Sequence, residues 1–168
     1  SNWQTILSNN YSSGTNLAGD MTTGNGASFS QIGVRYKGNS SYSMGGAKKS
    51  VNIELDFTEP GADWMNYETL NLNNAASDNT IMREPLYFNT MAQYAPSPKG
   101  SFARLNINGE FWGVYSFAQQ INNELVDEWF PSTDGDRWRA PNIGGGTGGG
   151  PGGPGGGGGF ASGASAFT

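Results

Sequence analysis

Cysteine and histidine are both absent from the 168 residues. That removes disulfides, thiolate nucleophiles and Cys-ligated zinc, together with the commonest general base and transition-metal ligand. Cations are scarce: nine Lys and Arg against fourteen Asp and Glu leave a net charge of −5 and a pI near 4.5. This balance argues against sequence-independent binding to nucleic acid or to anionic lipid, which needs clustered Lys and Arg to neutralise phosphates. No apolar run is long enough to span a bilayer, and Ser1 does not begin a basic stretch followed by an apolar one. Any chemistry therefore rests on Asp, Glu, Lys, Arg, Tyr, Ser or backbone groups.

Only 35% of the residues are hydrophobic and 27 are glycine, so the core-forming part is shorter than the chain. Five Trp, seven Tyr and nine Phe make a compact core attainable all the same, since each ring buries a large area. From Gly144 to Gly159 only Thr147, Pro151 and Pro154 are not glycine, a composition that cannot bury a core. The expected organisation is one domain over residues 1–143 and a Gly-rich linker or tail over 144–168. Glycine with periodic proline also suits closely packed extended chains, so the tail offers a contact for a homo-oligomer. Richness in Asn, Ser, Thr and Gly with few Lys points to an extracytoplasmic protein, secreted or on a cell or spore surface.

Alternation predicts strands over Phe29–Lys37 and Ser50–Phe57, the latter with Val51, Ile53, Leu55 and Phe57 on one face and Asn52, Glu54 and Asp56 on the other. Trp3, Ile6 and Leu7 form a short amphipathic turn, a short strand falls around Asn16–Thr22, and Leu70 and Leu72 mark another. Ser77 or Asp78 can cap a helix running toward Gln93, with Pro85 either near its start or at a kink. Asn108-Gly109 between alternating apolar runs is a strong hairpin signal, "NNELVDEWF" reads as a short acidic helix, and "GDRWRAP" as a strand end. The fold class expected is α+β: an antiparallel sheet carrying one main packed helix.

Between the two best strands lies "KGNSSYSMGGAKKS", where Gly38, Gly45 and Gly46 precede Lys48 and Lys49. A glycine loop can aim backbone N–H groups at an anion, and a strand lysine beside it can neutralise phosphate; a surface connector flanked by solvated lysines is the plainer reading. Period two puts Lys49 on the face of Val51 and Lys48 on the other, and both stay open as the inward lysine. Glu84 at the head of the helix is a candidate partner for either. Asp134 and Asp136 sit in a Gly turn and are read as solvated, without a metal.

The ordered series GVRYKGNSS, KKS, LNLNN, MRE and INGEFWGVY, spread over about Ile32–Pro141, resembles the spore-coat-protein-H (CotH) kinase family. The resemblance implies that residues 1–143 form the small lobe of an atypical protein kinase-like fold that binds ATP with Mg or Mn. It implies Lys48 or Lys49 as the phosphate-contacting lysine, Glu84 as its helix partner, and Gln119 and Gln120 as the link between lobes, where the family commonly has Glu-Gln. Arg35 and Gly38, from the first motif, join this nucleotide-binding set. The family's catalytic and metal-binding aspartates belong to W-D-G…N and P-W-D-x-D segments of a second lobe, and neither occurs here, so no catalytic residue is assigned. The implied partner is a large lobe or another protein chain. Two further readings stand beside this one: an extracellular coat or filament subunit using the tail, and a carbohydrate-binding sheet using Trp112, Tyr115 or Trp138.

Overall fold

The structure, a computed structural model, describes residues 2–44 and 46–138; the glycine-rich segment expected over 144–168 and its subunit contacts lie outside the described residues. Ten elements follow one another: helix α1 (Trp3–Asn10), strands β1 (Leu17–Thr22) and β2 (Ser28–Lys37), the one-turn helix α2 (Ser40–Ser43), strands β3 (Ser50–Glu54) and β4 (Thr69–Asn73), helix α3 (Arg83–Met91), strands β5 (Gly100–Ile107) and β6 (Glu110–Gln119), and helix α4 (Asn123–Trp129). The strands make one antiparallel six-stranded sheet in the order β1-β2-β3-β4-β6-β5, so the class is α+β. No helix among the described residues is long and apolar enough to cross a membrane.

Cross-strand register sorts the two sheet faces. Val34, Ile53 and Leu70 stand abreast, as do Tyr36, Val51, Leu72 and Phe117, and these residues with Leu7 of α1 and Tyr115 form the apolar core. The intervening positions put Arg35, Asn52, Asn71 and Ala118 in a row on the opposite face, flanked by Lys37 with Ser50 and by Asn73 with Ser116. This polar face is also largely buried, and every residue of β3 is buried. Its polar groups hydrogen-bond to one another, which offsets the loss of water.

The β5–β6 hairpin turns on Asn108 and Gly109, with φ of 53° and 85°, the left-handed pair that a two-residue loop requires. A bulge between Leu105 and Asn106 interrupts the ladder opposite Trp112, which meets Trp3 of α1 edge-on at 5.0 Å. Trp112 is thus packed and Tyr115 fully buried, which takes both out of the carbohydrate-platform reading; only Trp138 is exposed.

Two boundaries depart from expectation. The strand begun at Ser50 ends at Glu54, after which the chain turns; Leu55 stays buried and donates to the Glu68 carbonyl at 2.8 Å, whereas Phe57 is largely exposed. Residues 134–138 form no strand. Of the two placements left open for Pro85, the one near the helix start is adopted: α3 begins at Arg83, so Pro85 falls in its first turn, where backbone N–H groups lack an intrahelical acceptor and proline sacrifices nothing. Asp78 still serves as a cap from a distance: its Oδ2 accepts the Arg83 N–H at 2.8 Å.

Helix α3 rests on the polar face at β5, and Gly100 sets how closely. A Cβ there would lie 2.7 Å from Pro85 Cα and 3.3 Å from Pro85 O, backbone atoms that cannot rotate aside. Gly100→Ala is expected to lower the unfolding free energy by roughly 1–3 kcal/mol, read by urea denaturation, as α3 is pushed outward. Equal midpoints for the variant and the parent would mean that the helix does not sit this close.

Candidate functional site

Where the polar face meets the loops at one end of the sheet there is an open cavity of about 450 Å³. Its walls are the end of β2 with Lys37 and Gly38, Ser41 of α2, the start of β3 at Ser50, the end of β4 at Asn73, the loop from Asn74 to Ile81, and Glu84 of α3.

Lys37 is the partly buried cation of this cavity; Arg83 also lines it, with its side chain largely exposed. Parity with Arg35 places Lys37 on the polar face, and its Nζ donates to Asn71 Oδ1 at 2.8 Å. Burial pushes its ammonium down to about 8, with Glu84 pulling the other way and Arg35 adding to the depression. Glu84 is held on both oxygens: Asn73 Nδ2 donates to Oε1 and Oε2 at 2.8 and 2.9 Å, and Ser116 Oγ donates to Oε2. Strands β4 and β6 therefore fix the carboxylate of α3 in the cavity that the amine of β2 also lines, where its charge acts on that amine without an ion pair between them.

The opposite wall is stitched through Asn74, whose Nδ2 donates to the carbonyls of Lys48 at 3.0 Å and Ser41 at 3.4 Å, while its Oδ1 accepts from Ser50 Oγ at 3.0 Å. Asp78 closes the loop by accepting Thr80 Oγ1 and N as well as Arg83 N. The Thr80 hydroxyl, chiefly, and the Arg83 amide hold its carboxyl below the usual range. Ala75 and Ile81 in the same loop have φ of 53° and 63°, strained for any side chain and most of all for a β-branched one. Gly38, with φ of 103°, has no room for a Cβ, which would lie on Ser41 Oγ.

Of the residues singled out from the sequence, Gly38 and Glu84 line the cavity. Lys48 and Lys49 do not. Lys48 Nζ donates to the Val114 carbonyl and lies 4.6 Å from the Tyr115 ring centroid; Lys49 Nζ donates to the carbonyls of Tyr42 and Met44 at 2.6 and 2.9 Å, so neither is turned toward Glu84. Arg35 is spent in a buried ion pair with Glu54 at 2.8 Å. Gln119 accepts the Lys99 N–H at 3.0 Å, and Gln120 accepts from Asn71 Nδ2 at 2.6 Å, one step behind Lys37. Lys37, Asn73, Asn74 and Ser116 escaped the sequence reading. A signal for Lys37 existed in its parity with Arg35 and its place directly before Gly38.

The cavity offers the partly buried cation Lys37, the exposed cation Arg83 at its rim, 3.7 Å from Asp78, and several neutral side chains able to hydrogen-bond an anion. Its two carboxylates, Asp78 and Glu84, are each engaged by internal donors, and no group of three or more acidic residues placed to hold a metal ion occurs among the described residues. A family model described as CotH kinase protein matches residues 34–141, a stretch that contains the cavity-lining residues. Among curated proteins, none matches the chain.

Proposed function

From the premise that this chain belongs to the CotH kinase protein family, we propose that its cavity holds the phosphates of ATP, with Lys37 as the phosphate-facing cation and Glu84 as the carboxylate that positions it. The observation that carries this reading is Lys37 itself, a partly buried amine opening on a 450 Å³ cavity opposite a carboxylate that three hydrogen bonds immobilise. A strand lysine paired with a helix glutamate is the arrangement by which kinase small lobes grip nucleotide phosphates. The pairing expected for Lys48 or Lys49 passes to Lys37 in this proposal. Mg or Mn finds no ligand set among the described residues, so the activity proposed for these residues is nucleotide binding. Transfer needs carboxylates for the metal and for the acceptor hydroxyl, which the family resemblance places in a second lobe. The composition supports an extracytoplasmic setting for this binding.

Titration calorimetry of the chain with ATP, pyrophosphate and adenosine tests the reading, with ATP and pyrophosphate expected to bind and adenosine to bind far more weakly. Adenosine binding as tightly as ATP would sink it. The affinity has a definite pH signature. The protonated ammonium is the form that binds phosphate, and it predominates below about pH 8 and is lost as pH rises through that value, instead of near the 10.5 of a free lysine. ATP affinity should therefore fall between about pH 7.5 and 9.5, a range in which its terminal phosphate has already lost its last proton at about 6. A profile flat to pH 10 excludes Lys37 as the contacting charge.

A further inference from the structure

The wall of the cavity formed by Gly38 to Met44 has little to hold it in place on its own. Its helix α2 is a single turn with no side-chain cap and no buried residue, well below the length at which a helix is stable alone. Two residues outside the cavity brace it through contacts with the Tyr42 ring. The Tyr11 ring of the segment following α1 stacks on Tyr42 at 3.4 Å between centroids and 7° between planes, and its hydroxyl donates to the Gly38 carbonyl. Lys49 places its ammonium 5.0 Å from the Tyr42 centroid while donating to the carbonyls of Tyr42 and Met44. Those carbonyls lie at the end of α2, where a cation is favourable to the helix and satisfies acceptors left without an intrahelical donor. On the far side, Ser77 Oγ approaches Met44 Sδ at 3.6 Å and ties the same loop to the opposite wall.

We propose that Tyr11 and Lys49 are positioning residues that hold the Gly38–Met44 loop closed as a wall of the cavity and so set how long a bound phosphate group stays. This rests on the phosphate reading for its functional half. It assigns a role to the second lysine of the Lys48-Lys49 pair and to the leading segment, which precedes the stretch matched by the family model. Neither residue touches the ligand in this scheme: Lys49 acts through the carbonyls and ring of Tyr42, Tyr11 through Tyr42 and Gly38.

Two measurements on the full chain decide it. Amide hydrogen exchange over residues 39–44, without ligand, should accelerate roughly ten-fold in Tyr11→Ala and in Lys49→Met, the effect of losing hydrogen bonds to a charged donor or a stacked ring. Exchange in β3 and β4 should stay unchanged. The dissociation rate of ATP should rise by a similar factor, and Lys49→Arg, which can donate to the same carbonyls and stack on the same ring, should restore both. Exchange over 39–44 that stays at the parent rate in both variants overturns the proposal, as does acceleration shared equally by the sheet. If the parent does not bind ATP at all, the phosphate reading fails, while the exchange result still decides whether Tyr11 and Lys49 hold the loop.

Discussion

Lys37→Met is expected to weaken ATP and pyrophosphate binding roughly 10- to 100-fold while the melting temperature holds or rises. A charge-assisted hydrogen bond to phosphate contributes about 1.5–3 kcal/mol, and each 1.4 kcal/mol is a factor of ten in affinity. The stability half follows from the same burial that depresses the amine: folding takes a charge out of water, and methionine of similar length removes that cost. The acceptor left behind is not orphaned, since Asn71 Oδ1 keeps a donor in Asn52 Nδ2 at 3.1 Å. Lys37→Arg sharpens the test. A guanidinium stays charged throughout the accessible range, so binding by this variant should lose its decline above pH 8. Lys37→Met binding ATP like the parent would remove Lys37 from the site.

Arg35→Met is expected to destabilise the fold by roughly 3–5 kcal/mol, the cost of breaking a buried ion pair from one side. The side chains of Arg35 and Glu54 are only 10% and 11% exposed, and Asn16 Nδ2 bonds the second carboxylate oxygen at 2.6 Å. Glu54 Oε1 takes no aligned hydrogen bond, so its compensation is the Arg35 charge 2.8 Å away. Removing that charge strands a carboxylate between β2 and β4. The double variant Arg35→Met, Glu54→Leu should recover most of the loss, because two apolar chains of similar size avoid the desolvation of both ions. Guanidinium denaturation of the two single variants and the double one measures this directly. A loss below about 1 kcal/mol in Arg35→Met would mean that the pair is solvated and contributes as a surface bridge does. Arg35 was grouped with the nucleotide-binding residues because it shares a motif with Gly38; its charge is instead committed to the sheet.

Elements of the fold were legible wherever the signal is local. Asn108-Gly109 needs two left-handed residues, which few other pairs supply, and the hairpin stands where that pair does. The alternation of Val51 and Ile53 placed β3, and Pro85 restricted where α3 could begin. The one-turn helix α2 was not legible: "SSYS" has no helical period, and the contacts that hold it come from Tyr11 and Lys49, 31 residues before and 7 after Tyr42. The early end of β3 was equally hidden, since Leu55 and Phe57 continue the apolar alternation while the chain has already turned.

Composition and local pattern by themselves determined which chemistry is open to this protein, the α+β class, the principal strands, the hairpin and the ordered motifs of the CotH kinase family. These depend on which residues are present and how near neighbours are spaced. Only the tertiary structure decided which lysine shares a cavity with Glu84, and that the Asn-rich side of the sheet is buried. Sequence spacing cannot order β2, β3, β4 and β6 side by side or lay α3 across them. Once that register is set, Lys37, Asn73 and Glu84, drawn from three separate elements, converge on one cavity, with Ser116 of β6 holding Glu84 from behind, while Lys48 and Lys49 are turned to backbone carbonyls instead.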